Sequence, residues 1–188
     1  MPMPVEFTKT EIADVLEVKT GRIEDERGFL NEAYSLPVWT AAGFEGAFVQ
    51  DNLTRSSKGT LRGMHYQLST HGMGKLVRVV QGSVFDVAID VRQGSPTFGK
   101  WVGRTLSGDN GLSLWVPAGF AHGFVALEDD SLLWYKCTGA HAPEAERAVR
   151  YDDPTIAIDW PLEPTIISKK DAEAPLLADA EYDFVHPG

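Results

Sequence analysis

What most constrains this chain is the recurrence, through its middle, of short runs rich in β-branched and aromatic residues, each closed by Gly, Pro, Asn or Asp. The clearest is SVFDVAIDV, 83–91. Its period-two alternation puts Phe85, Val87, Ile89 and Val91 on one strand face and Asp86 and Asp90 on the other. Similar runs lie at 47–53, 75–80, 98–106, 112–116, 122–127 and 132–137. A spacing of about ten residues with turn signals between them predicts an all-β sandwich or barrel. Helical signals are few. The segment 37–43 has Pro near its start and Gly at its end, and 168–178 opens on a capping serine but is limited by Pro175. With 188 residues, 43% of them hydrophobic, a sizeable core fits into one domain. The resulting expectation is a single domain over 1–188. It is an all-β, double-sheet jelly roll with short peripheral helices, and a C-terminal segment, 162–188, packs on the core.

Charge and cysteine usage narrow the partners. Lys and Arg number 17 against 27 Asp and Glu, a net charge of −10. Such a surface repels phosphate backbones and anionic lipid, so neither nucleic acid nor membrane is expected, and an anionic ligand would need a local basic pocket. The single cysteine, Cys137, excludes an internal disulfide scaffold. No basic stretch followed by an apolar run opens the chain, and the most apolar window, 112–127, is interrupted by Ser113, Pro117, Gly119 and His122. Neither a signal peptide nor a membrane span is expected, and the chain reads as cytoplasmic.

Four clusters hold residue types capable of chemistry. In LRGMHYQ, 61–67, alternation turns Gly63, His65 and Gln67 one way and Arg62, Met64 and Tyr66 the other. On these grounds alone His65 is open to three readings: general base, metal ligand or satisfied core residue. GLSLWVPAGFAHGF, 111–124, contains a P-x-G-x-x-H core that resembles the second motif of the cupin superfamily, where the histidine often binds metal. The first cupin motif normally supplies two further histidines, but here Gln67 stands for the second. His65 and His122 are too few for the roughly three protein ligands of a catalytic metal. In LLWYKCT, 132–138, Tyr135 is either a core aromatic or a proton donor. Cys137 lacks an activating helix start or histidine neighbour. Ser168, Lys169, Lys170 and Asp171 read locally as a solvated helix start.

Taken together, DERGFLNE (25–32), FVQDNLTRS (48–56), LRGMHYQ, GKLVRVVQG (74–82), PAGFAHGF (117–124), WYKCT, RYDDPTIAIDWP (150–161) and SKKDAEAPLL (168–177) resemble the dTDP-4-dehydrorhamnose 3,5-epimerase family over nearly the whole chain. The resemblance implies a metal-free, cofactor-free jelly-roll homodimer. Its substrate would be a dTDP-linked 4-keto-6-deoxyhexose, inverted at C3 and C5. It further implies His65 as general base, Asp171 as its dyad partner, Tyr135 as general acid and Lys75 beside the substrate ketone. Arg27, Phe29, Glu32, Gln50, Asp51, Asn52, Arg62, His122, Glu146 and Lys170 fall where the family contacts the sugar, the diphosphate or the nucleoside. One position departs from the family pattern. Consecutive tyrosines usually precede A-P-E, but this chain reads GAHAPEAE, so His141 stands where a tyrosine would stack on thymine. Two other readings fit part of the pattern: an epimerase inverting one centre, and a non-catalytic sugar-binding jelly roll. The second would need no base and acid pair.

Overall fold

The structure, a computed structural model, describes residues 3–44 and 46–188. Of the span read as one domain, residues 1, 2 and 45 lie outside the described residues. Two antiparallel sheets carry most of the chain. The first runs in the order β1 (Val5–Lys9), β2 (Leu16–Thr20), β10 (Leu112–Val116), β7 (Lys75–Gln81), β12 (Ser131–Cys137), β5 (Gln50–Ser56). The second runs β13 (Glu146–Ala148), β6 (Thr60–Gln67), β11 (Phe120–Ala126), β8 (Ser83–Asp90), β9 (Trp101–Ser107), with β14 (Ile166–Ile167) added in parallel on β6. Strands β3 (Arg22–Asp25) and β4 (Gly28–Asn31) form a separate hairpin. This is the expected jelly roll.

Packing explains the alternation. The inward faces of the two sheets meet in a core that includes Val77, Val79, Leu114 and Leu133 from the first and Val84, Ala88 and Phe124 from the second. Val87, Ile89 and Val91 point outward from β8, yet they are buried too. With Met64 and Tyr66 they form a second cluster, covered by Ile156, Leu177, Trp160 and Tyr182 of the C-terminal part of the chain. Both faces of β8 are therefore dry, which places Asp86 and Asp90, each wholly inaccessible, in the interior rather than in water. Asp90 is satisfied there by Arg92, Ser95 and Thr97. Helix α1 (Leu36–Ala41) drops Trp39 onto the outer face of the first sheet, its ring 5.3 Å from those of Phe7 and Phe44.

Several element boundaries differ from the sequence reading. The strand expected over 47–53 begins only at Gln50 and runs on to Ser56, and the one expected from 98 starts at Trp101, after a turn through Gly99 at φ 72°. The helix expected over 168–178 shrinks to α2 (Lys169–Ala172), with a separate single turn of 3-10 helix at Leu177–Asp179. Ser168 caps α2, its Oγ accepting from the Asp171 amide. Pro175 disfavours helical backbone at the residue before it. No helix among the described residues is long and apolar enough to cross a membrane.

Candidate active site

The site begins with an irregularity in β6. His122 on β11 pairs with His65 and Phe124 pairs with Arg62, so Gly63 and Met64 together oppose Gly123. This bulge requires glycine at 63: φ is 127°, and a Cβ there would lie 2.5 Å from the Gly123 Cα. The extra residue resets the alternation. Arg62, expected to point away from His65, instead lines the same cavity, while Met64 and Tyr66 pack in the cluster beneath the C-terminal part of the chain.

His65 donates from Nε2 to Asp171 Oδ1 at 2.7 Å. Asp171 is buried on the short helix α2, and the Gly63 amide donates to its other oxygen at 3.4 Å. Burial works against a charged carboxyl here, but the bonds from His65, Gly63 and Ser168 outweigh it and hold Asp171 below the usual carboxylate range. An ionised Asp171 fixes the His65 proton on Nε2, which leaves Nδ1, without a hydrogen bond among the described residues, as the basic atom.

Tyr135 reaches the same space from the opposite sheet. On β12 the residues Leu133, Tyr135 and Cys137 face inward. Trp134 and Lys136 face outward, with the Lys136 ammonium 2.8 Å from Asp51 Oδ1. Burial pushes the Tyr135 phenol above tyrosine's ordinary value, so it is protonated across the neutral range. Lys75 opens β7, its Nζ donating to the His65 carbonyl at 3.4 Å. Burial pushes its ammonium below lysine's ordinary value, against the opposing pull of Cys137, Asp86 and Glu146.

His65, Lys75 and Tyr135 line both of two adjoining cavities, of about 500 and 270 Å³. The larger lobe adds Arg62, His122, Lys170 and Asp171 to an apolar wall of Leu61, Phe124, Ile166 and Ile167. The smaller adds Gln50, Asn52, His141 and Glu146. There the His141 amide donates to Gln50 Oε1 at 3.0 Å, and Lys170 Nζ donates to Glu146 Oε2 at 2.6 Å. Burial opposes charge on Glu146, but Lys170 more than compensates and holds its carboxyl low. Gln67, at the place of the cupin motif's second histidine, serves as a brace. Its amide donates to the His71 and Ala140 carbonyls and accepts from the Ala142 amide, fixing the loop that presents His141. Among the described residues no three of His, Cys, Asp or Glu are grouped to hold a metal ion.

Four candidate residues stand apart from this chamber. Arg27 and Phe29 lie on the β3–β4 hairpin, Arg27 paired with Asp25 and Phe29 half-exposed beneath the Arg22 guanidinium, and Glu32 follows that hairpin. Asp51 faces outward because Gln50 and Asn52 on either side of it face in. Conversely, Thr54 and Phe124 line the larger lobe, and Asp86 binds His122 behind it, though none was singled out from sequence. The available signal for Asp86 was an acid centred in a strand apolar on both sides.

Comparison with known proteins bears on the chain as a whole. The family model described as dTDP-4-dehydrorhamnose 3,5-epimerase matches residues 9–179. A dTDP-4-dehydrorhamnose 3,5-epimerase of Shigella flexneri is 47% identical over 93% of this chain and 97% of its own length. The structure of a dTDP-6-deoxy-D-glucose-3,5-epimerase from Legionella pneumophila Philadelphia 1, in complex with dTDP-4-keto-L-rhamnose, superposes with a TM-score of 0.89 at 47% identity, covering 93% of this chain and 94% of that one. A 3'-monoepimerase from Streptomyces bikiniensis, in complex with dTDP-quinovose, is more distant at 32% identity and a TM-score of 0.84, over 90% and 87% of the two chains. The chain belongs to the dTDP-4-dehydrorhamnose 3,5-epimerase family.

Proposed function

We propose that this protein inverts C3 and C5 of dTDP-4-dehydro-6-deoxy-D-glucose, giving dTDP-4-dehydro-L-rhamnose, and that it does so as a single-domain cytoplasmic enzyme without metal or cofactor. The observation that carries the reading is the chamber shared by a histidine–aspartate dyad on one sheet and a buried phenol on the other, with a lysine between them. Both carbons lie next to the C4 ketone, so loss of either hydrogen leaves an electron pair that delocalises onto the ketone oxygen. His65 Nδ1 takes the proton, and Asp171 stabilises the imidazolium that forms. The Lys75 ammonium meets the developing oxyanion, an effect worth about 3–4 kcal/mol in comparable sites. Tyr135 returns a proton to the opposite face of the same carbon, which inverts it; the phenolate then recovers a proton from solvent and the His65 imidazolium releases the one it took, which resets both groups for the second carbon. Arg62 and Lys170 offer the diphosphate the local positive charge that a net −10 protein otherwise lacks. Gln50, Asn52, His141 and Glu146 in the smaller lobe take the nucleoside end.

The residues outside the chamber fit a homodimer. Arg27, Phe29 and Glu32 resemble substrate-contacting positions yet sit on or beside a hairpin whose Ile23, Phe29 and Leu30 are more than half exposed. A second copy would cover that apolar hairpin and receive these residues at its own chamber. Incubation with the 4-keto sugar nucleotide in heavy water, followed by NMR, tests the function. Two deuterons per product, at C3 and C5, are expected. One deuteron would narrow the enzyme to a single centre, and binding without exchange would leave a sugar-binding module.

A further inference from the structure

The loop joining β12 to β13 crosses from the first sheet to the second and carries His141, whose side chain lines the smaller lobe. Both ends of the loop are tied down. The Thr138 amide donates to the Gly74 carbonyl at 3.0 Å, and the Thr138 hydroxyl accepts from the Gly74 amide at 2.9 Å. At the far end the Leu68 amide donates to the Ala145 carbonyl at 3.0 Å. Between these anchors Gly139, Ala140 and His141 make no backbone–backbone hydrogen bond among the described residues. Such a segment has no ladder to fix its course, so its order must come from side chains.

Two glutamines supply it, one from each sheet. Gln50 on β5 accepts from the His141 amide, as described above. Gln67 on β6 grips the residues on either side of that amide. Its Nε2 donates to the Ala140 carbonyl at 3.2 Å, and its Oε1 accepts from the Ala142 amide at 2.7 Å. The second Nε2 hydrogen goes to the His71 carbonyl at 2.7 Å, at the end of a single 3-10 turn, Ser69–His71. That turn is itself fixed, because Asp183 accepts from the amide and the hydroxyl of Ser69 at 2.8 and 2.7 Å. Gln67 therefore ties the loop to an anchored point. It is buried, and with both N–H groups spent on carbonyls it has no donor left for a ligand.

We propose that Gln67 is a positioning residue for nucleoside binding: by holding Ala140 and Ala142 it sets the His141 ring against the base, and so governs affinity for the nucleotide through the loop. The inference rests on the reading of the smaller lobe as the nucleoside end. A loop that wanders among conformations binds more weakly, in proportion to the fraction of time it spends in the competent one. Strand β6 then serves both ends of the substrate, His65 toward the sugar and Gln67 toward the base.

The test is calorimetric binding of dTDP and of inorganic pyrophosphate to wild type, Gln67→Met, His141→Ala and the double variant, with kcat and KM measured alongside. Methionine is close to glutamine in length but makes none of the three bonds. It is expected to weaken dTDP about three- to tenfold, the range of one aromatic pair, and to raise KM to match. Pyrophosphate, which has no base, should bind as before, and kcat should change little. Gln67→Met on the His141→Ala background should cost no further dTDP affinity, because both changes remove the same contact. Should methionine not fold at 67, Gln67→Glu, which still accepts from the Ala142 amide but cannot donate to both carbonyls, carries the same readout. Unchanged dTDP affinity in a folded Gln67 variant would overturn the proposal. Equal weakening of dTDP and pyrophosphate would do the same, as would losses that multiply independently in the double variant. If His141→Ala alone leaves dTDP affinity intact, the nucleoside reading of the smaller lobe fails, and the proposal falls with it. A wild-type enzyme inert toward the 4-keto sugar would sink the catalytic function instead, with these binding constants still deciding the role of Gln67.

Discussion

At the scale of single residues, the dyad shows why local sequence reading stops short. Alternation alone put His65 and Tyr135 on strand faces, and both do face the chamber. Asp171, 106 residues further along the chain, looked locally like part of a solvated helix start. Only the folded chain buries it against His65, and only the family resemblance could assign the pair in advance. Asp86 was legible as a position on a strand but not as a buried carboxyl, because its face of β8 turns inward against the first sheet while the apolar face is covered by the C-terminal part of the chain. His141 marks where this chain departs from the family pattern. Its ring lies in the smaller lobe, 3.6 Å from Glu146, and offers less stacking area than a phenol. His141→Tyr is therefore expected to lower the substrate KM roughly three- to tenfold, the range of one aromatic pair, with kcat little changed. Steady-state kinetics with the dTDP sugar check this. An unchanged KM would remove His141 from the base-binding surface.

At the scale of elements, the bulge in β6 is the feature on which the site depends. Period-two reasoning misplaced Arg62 because nothing in LRGMHYQ announces that two residues will oppose one. The glycine pair was the available hint: Gly63 and Gly123 face each other so closely that neither tolerates a side chain. Gly63→Ala combines a positive φ with contacts of 2.5 Å to the Gly123 Cα and 2.7 Å to the His122 carbonyl. Backbone strain of this kind costs about 1–3 kcal/mol before the clash is added. A total near 3 kcal/mol would lower the thermal midpoint by roughly 6–12 °C for a chain of this size. Calorimetry decides: a midpoint within a degree of wild type would show that β6 accommodates alanine and that the bulge is not glycine-dependent. Other boundaries slipped for ordinary reasons, as turns such as the one through Gly99 delay a strand whose residues already have strand character.

At the scale of the whole molecule, the proposed mechanism divides its chemistry between the two sheets. The second carries His65, proposed as the base, beside the Asp171 helix and the paired His122. The first carries Tyr135, proposed as the acid, and Lys75. A hexose between the sheets would meet a base from one side and a proton donor from the other, which is what inversion at carbon requires. That the chain forms a jelly roll was readable from its run lengths and turn residues. What the β3–β4 hairpin does was not, because it lines neither lobe of the chamber within one copy. If the hairpin serves the second copy, mixing inactive His65→Ala with an impaired Arg27→Ala variant should restore activity, since each mixed dimer contains one chamber free of both changes. Mixtures no better than the average of their components would keep the hairpin out of the site.

The division of labour between the sheets is tested most directly by Tyr135→Phe in heavy water, followed by NMR at C3 and C5. With the base intact and the acid removed, deuterium is predicted to replace hydrogen at these carbons while the L-configured product fails to form. Full inversion in this variant would contradict the account, because the proton would then be reaching the far face of the sugar from some group other than Tyr135.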